Sequence, residues 1–91
     1  MDTPSDKLPL GNKTISDTLI RSSAEMGIAV RERRKQLALT QLDIAGLGAT
    51  GNRFIVDLEN GKPTVQLQKV LDLLDLLGLE LVVRPKSTRA M

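Results

Sequence analysis

The sequence predicts an all-α domain with one short strand near its end, and three observations carry that prediction. Residues 40–61, TQLDIAGLGATGNRFIVDLENG, read as two short helices joined by a tight glycine-containing turn. Downstream, Leu67, Val70, Leu71, Leu74 and Leu77 fall on one stripe by threes and fours, the spacing of a helix face. Only 79–84, LELVVR, switches to β-branched composition.

Taken in order, residues 1–13 hold Pro4, Pro9 and Gly11 among polar side chains and read as a flexible arm. Residues 14–20 fit either an extended piece or a helical turn. Ser22 followed by Glu25 fits a capping box, in which the serine oxygen and the glutamate satisfy free N–H groups of the first turn. The helix it opens is expected over about 24–37. Its inner face would carry Met26 or Gly27, Val30, the stem of Arg34, and Leu37. Gly27 weakens such a helix by about 1 kcal/mol relative to alanine, which a close helix–helix approach at that point would explain.

Thr40 is placed to cap the next helix, with Leu42, Ile44, Ala45 and Leu47 on its apolar side. Gly46 and Gly48 allow a sharp bend with positive φ. Thr50 is placed to cap a second short helix carrying Phe54, Ile55 and Leu58. Asn60 and Gly61 stop it in the left-handed manner, and Pro63 prevents continuation. Thr64 is the expected cap of the last helix, 65–77. Leu73 and Leu76 widen its apolar face beyond what one small core requires, so that part of the face is expected to meet a second copy. Gly78 ends this helix. The strand-like 79–84 would leave backbone groups unpaired; its natural partner is the same strand of another copy, or residues 14–20. Pro85 ends it, and 85–91 read as a flexible tail. The organisation expected is thus an arm (1–13), a single folded domain (14–84) and a tail.

Ninety-one residues with 41% hydrophobic content support one small core. The chain has no cysteine and no histidine, which removes disulfides, thiolate ligands and the commonest general base together. Phe54 is its single aromatic residue, too few for a single-strand binder that stacks bases on rings. The formal charge is only +2, but Arg31, Arg33, Arg34 and Lys35 cluster just before the central stretch. Most such runs are a solvated helix face. No apolar run reaches membrane-spanning length and no secretory segment opens the chain; the expectation is a cytoplasmic, bacterial-type protein.

Three enzymatic readings fail. Gly46, Gly48 and Gly51 match G-x-G-x-x-G, yet that fingerprint needs a buried strand before it and a βαβ unit around it. Asp43 interrupts the would-be strand, and 65–77 reads as a helix where the closing strand should be. Carboxylate pairs such as Asp72 and Asp75, or Asp57 and Glu59, could in principle do acid–base work, but Asp72 and Asp75 lie on the polar face of an amphipathic helix and suit solvation better. Ser22, Ser23 and Lys35 give no nucleophile–base pattern. No enzyme activity, cofactor or metal is expected.

A nucleic-acid reading needs an outward helix, short polar side chains at its start, and phosphate donors around it. Asn52 suits an adenine edge, Arg53 suits guanine or a phosphate, and Val56 suits a thymine methyl. Gly51 lets backbone approach closely. Gln41 at a helix start, and Asn60 and Lys62 beyond the second helix, are placed for phosphates.

The pattern R-x-R-R-K … L-T-Q-x-D-I-A-G … R-F-I-x-D-L-E-N-G-K-P-T resembles the phage-repressor-type (Cro/C1, XRE-like) helix-turn-helix family. The stretch from R-F-I-x-D-L-E-N-G-K-P-T through V-x-L-x-K-V-L-x-L-L-x-x-L-G-L-E-L is closer still to HipB-like antitoxins. The resemblance spans about 24–83. It implies a lambda-repressor-like domain of four to five helices, with 41–47 as the positioning helix and 50–60 as the recognition helix. It implies base contacts at Gly51, Asn52, Arg53 and Val56, phosphate contacts near Gln41, Asn60 and Lys62, and a structural ion pair of Arg34 with Glu59. It also implies a C-terminal strand pairing across a homodimer, whose interface would use Leu73, Leu76, Leu79, Leu81 and Val83. The function implied is a sequence-specific repressor of double-stranded operator DNA. It would autoregulate its operon and, as the antitoxin of a toxin–antitoxin module, neutralise a HipA-like serine/threonine kinase. The alternative is a stand-alone regulator with no toxin. Two departures stand out. Ala38 occupies a position where relatives usually carry glycine, so the turn leaving the first helix is expected to differ. Gly51 and Val56 replace polar readers, leaving direct readout to Asn52 and Arg53 and the remainder to operator shape.

Overall fold

The computed structural model describes residues 17–48 and 50–86 of the chain. Four helices follow one another: α1 (Ser23–Gln36), α2 (Gln41–Leu47), α3 (Asn52–Glu59) and α4 (Leu67–Leu76). The expected arm 1–13 and the tail beyond residue 86 lie outside the described residues.

Helix α1 begins where Ser22 Oγ accepts the Glu25 N–H at 3.1 Å. The Glu25 carboxylate reaches back to the Arg21 N–H, one residue earlier than a strict capping box requires. Its inner face is Gly27, Val30 and Arg34. Gly27 is the point of closest approach to α3: a Cβ there would lie 2.4 Å from the Leu58 carbonyl oxygen and 2.6 Å from that of Glu59. The glycine therefore lets two backbones meet. Leu37, expected on the inner face, is instead exposed. It is the C-cap residue, where the chain turns away, and Leu39 packs against the core in its place.

Helix α2 opens with a complete capping box. Asp43 N–H donates to Thr40 Oγ1 at 3.0 Å, and Thr40 N–H donates to Asp43 Oδ2 at 2.8 Å. The Thr40 backbone bond, with the side-chain bond beside it, holds the Asp43 carboxyl below its ordinary value. Only Ile44 and Ala45 of this helix are buried. Leu42 and Leu47 are exposed, contrary to expectation; Leu42 is about 200° round the helix from Ile44, at 3.6 residues per turn. The bend after α2 needs no left-handed glycine, since Gly46 is helical and Gly48 has φ −90°. Thr50 does not cap α3. Its N–H donates to the Ala45 carbonyl at 3.1 Å, which makes it part of the turn. Its buried Oγ1 has no hydrogen-bond partner.

Three helices end in one way. In each, the residue after the C-cap is left-handed, with φ 60° at Ala38, 83° at Gly61 and 74° at Gly78. The next N–H reaches back five residues: Leu39 to Arg34, Lys62 to Asp57, and Leu79 to Leu74. This is the Schellman motif, which normally takes glycine because a Cβ crowds the backbone there. Ala38 thus adopts the same turn as a glycine would, rather than a different one.

Helix α4 starts later than expected, with Gln66 rather than Thr64 as its N-cap residue, because Pro63 and Thr64 are held in a turn. Val70, Leu73, Leu74 and Leu77 close the core over Val30, Ile44, Ile55 and Leu58. Leu73, expected at a dimer interface, is only 4% exposed and belongs to this core, and Leu67 points to water. Residues 79–86 take no regular secondary structure, and there is no strand among the described residues. A strand requires a hydrogen-bonded neighbour, and 17–20 do not supply one, although Arg84 and Asp17 pair at 3.6 Å.

Candidate nucleic-acid interface

Helix α3 is held from behind. Ile55, Leu58 and Glu59 face inward, Gly27 locks it against α1, and α2 packs beside it. What this leaves outward is its first turn and one further stripe. Asn52 and Arg53 are exposed, the Arg53 side chain at 84%, and Val56 is half-buried one turn on. Gly51 is the N-cap residue, and α3 has no side-chain cap. Its opening N–H groups therefore have no side-chain partner, although that of Phe54 donates to the Gly51 carbonyl at 3.1 Å; N–H groups left open at a helix start can accept an anion. A Cβ at Gly51 would meet nothing closer than 4.0 Å, so packing does not demand glycine at this position.

Charge on this face is arranged around Asp57. Its Oδ1 lies 3.3 Å from Arg53 Nε and its Oδ2 lies 3.5 Å from Lys62 Nζ. Asn60, the C-cap residue of α3, is exposed, and Lys62 is half-exposed two residues beyond. Among the residues expected at phosphates, Gln41 differs. Its amide nitrogen donates to Glu59 Oε1 at 3.0 Å, so only its remaining N–H and the backbone N–H are free.

Beneath the face, Arg34 and Glu59 form a buried two-pronged pair. Burial pushes the Glu59 carboxyl up. The bonds from Arg34 and Gln41 and the charges of Arg34 and Arg31 outweigh it, and the group titrates below its ordinary value. The Arg34 guanidinium, bonded to Glu59, is raised despite its burial. Its third donor caps the Leu39 carbonyl at 2.9 Å, so one side chain joins the end of α1, the start of α2 and the end of α3.

Sequence reasoning missed a second such tether. Arg33, counted there in a basic run, donates from Nε to the Leu77 carbonyl at 2.8 Å and so covers the end of α4. Cations at helix C-termini do this often, but no spacing rule links residues 44 apart. The glycines at 46, 48 and 51 run from inside α2 to the N-cap of α3, so no strand precedes them as a dinucleotide site requires. Of the residues expected at a dimer interface, Leu76, Leu81 and Val83 are exposed, the last at 93%, and Leu79 is half-buried. No described helix is long and apolar enough to cross a membrane.

The chain matches no family profile. It is 48% identical over 70 residues to the uncharacterised HTH-type transcriptional regulator y4mF of Sinorhizobium fredii (strain NBRC 101917 / NGR234), a match covering 77% of this chain and 92% of the relative. Among solved structures it is similar to HipB in an O2 20mer complex, with TM-score 0.73 and 22% identity over 79% of this chain and all of that one. It is similar to a chain of a HipA-HipB-O2-O3 complex, with TM-score 0.72 and 21% identity over 78% of this chain and all of that one. At such identity these two likenesses establish a shared fold.

Proposed function

The chain belongs to the HTH-type transcriptional regulators, and on that premise we propose that it is a sequence-specific repressor of double-stranded operator DNA, not an enzyme. The observation that carries the reading is the exposure of Asn52 and Arg53 at the uncapped start of α3, a helix immobilised by α1 and α2 behind it. In this reading α3 enters the major groove. Asn52 and Arg53 pair with base edges, Val56 meets a thymine methyl, and the Gly51 backbone approaches closely. The backbone N–H of Gln41, with Asn60 and Lys62, meets flanking phosphates. Residues 14–84 form the DNA-binding and dimerisation domain. Two copies set their α3 helices in successive grooves about 34–36 Å apart, joined through Leu76, Leu79, Leu81 and Val83.

The finer role we infer is that of a cytoplasmic antitoxin that neutralises a HipA-like kinase and represses its own operon. The fold shared with HipB, one copy of which comes from a HipA-HipB-O2-O3 complex, supports it. A stand-alone regulator without a toxin is the competing reading, and the neighbouring reading frame separates the two: a kinase there favours the antitoxin. A gel-shift with the DNA upstream of the gene, at two salt concentrations, tests DNA binding. Sequence-dependent retention that weakens steeply with salt is expected. Equal binding to upstream and unrelated duplexes, or none, would overturn the proposal.

A further inference from the structure

We propose that Asp57 aims Arg53 and thereby sets its base preference, an inference that rests on the DNA-binding reading above. Asp57 lies one helical turn after Arg53, and its Oδ1 forms an ion pair with the Nε side of the guanidinium at 3.3 Å. With the carboxylate on the Nε side, the Nη1/Nη2 edge and its two parallel donors remain available to a base in an 84% exposed side chain. A two-donor edge matches O6 and N7 of guanine and does not match adenine, which offers one acceptor and one donor there. The carboxylate itself is steady. It is only 18% exposed, and Lys62 engages its other oxygen at 3.5 Å. An i,i+4 ion pair whose cation stands in water adds little to stability.

Charge points the same way. One carboxylate shared by Arg53 and Lys62 leaves this part of the face with a net single positive charge. Arg53 is thereby a poorer partner for any phosphate while keeping its directional donors. Asp57 thus weakens binding to arbitrary sequence and sharpens binding to the matched one, a positioning role exercised through Arg53.

The test uses the full chain. Duplexes of 20 base pairs are selected from a randomised pool by the unaltered protein, and the selected duplex is then compared with one carrying adenine for guanine at the position that Arg53→Ala stops discriminating. Asp57→Ala is expected to reduce the guanine preference about tenfold, the scale of one good base contact. It should also raise affinity for an unrelated duplex and steepen its salt dependence by about one phosphate contact. Lys62→Ala should lower affinity yet keep the preference. Should Asp57→Ala fold poorly, Asp57→Asn preserves the shape and should shift the preference in the same direction. Retention of the full preference by both Asp57 variants would overturn the inference with DNA reading intact. Failure of the unaltered protein to enrich any sequence would overturn the DNA reading, and this inference with it.

Discussion

Glu59 receives both prongs of Arg34, Nε on Oε2 at 2.6 Å and Nη2 on Oε1 at 2.9 Å, across 25 residues of sequence. The two residues stand on α1 and α3, so the pair fixes where the outward helix points. Removing one partner would leave the other charge buried. Arg34→Ala is expected to lower unfolding free energy by about 3–5 kcal/mol, whereas replacing both residues with apolar ones of similar volume should recover most of that. Urea unfolding of the single and double variants measures it.

The same pair predicts an acid response. The folded Glu59 carboxyl titrates below its ordinary value, so on acidification the unfolded state takes up the proton first. The stability contributed by the pair is complete above the unfolded value, ~4.3. It is lost as pH falls through the lower, folded one. Urea midpoints should therefore drop below about pH 4. Glu59→Gln should be less stable at neutral pH and lose less on acidification.

Gly27→Ala tests the contact between α1 and α3. Alanine favours a helix by about 1 kcal/mol, but its Cβ would sit 2.4 Å from a backbone oxygen that cannot swing aside. A net loss of ~1–2 kcal/mol is expected, overpacking less the helix gain, read as a lowered thermal midpoint. An unchanged midpoint would mean that the two backbones are further apart than described.

Ala38→Gly should act in the opposite direction. Left-handed backbone costs a non-glycine residue about 1–2 kcal/mol, and the greater freedom of unfolded glycine offsets roughly half. A gain of ~0.5–1 kcal/mol is expected from the difference of those two effects. Gly61→Ala should destabilise more than the φ of 83° alone requires, because its Cβ would also lie 2.8 Å from Ala24 Cα. Thermal melts of both variants decide it.

On DNA, Asn52→Ala and Arg53→Ala should each lose about 1–3 kcal/mol of affinity for the matched duplex. Neither should change the melting temperature noticeably, since both side chains are exposed. Lys62→Ala should instead reduce the salt slope by about 0.9. Fluorescence anisotropy over a salt series separates the two behaviours.

Much of this molecule was legible because its signals are local. Ser22 with Glu25, and Thr40 alone, mark helix starts, and Asn60-Gly61 and Gly78 mark ends; the part Asp43 plays in the capping box at Thr40 was not read. The errors came where a side chain answers to distant neighbours. Leu73 looked like surplus apolar surface until Val30 and Ile55 were seen to need a lid. Thr50 has the chemistry of a cap but is drawn into the preceding turn. Arg33 resembled surface charge because its carbonyl partner lies on another helix. The expected strand is a different case, since no rule internal to 79–84 can supply the neighbouring chain that a ladder requires. At the interface, the exposure of Asn52 and Arg53 followed from helical spacing, whereas the shared carboxylate of Asp57 required coordinates.

The tethers made by Arg33 and Arg34 carry a consequence for how such a regulator would find its target. Of four clustered cations, two are engaged with internal oxygen atoms, and only Arg31 and Lys35 stand free in water. In the proposed DNA-binding role, a cluster with half its charges turned inward would add little to binding of duplexes of random composition. The protein would scan in brief visits and depend on the fit of its paired α3 helices to stay.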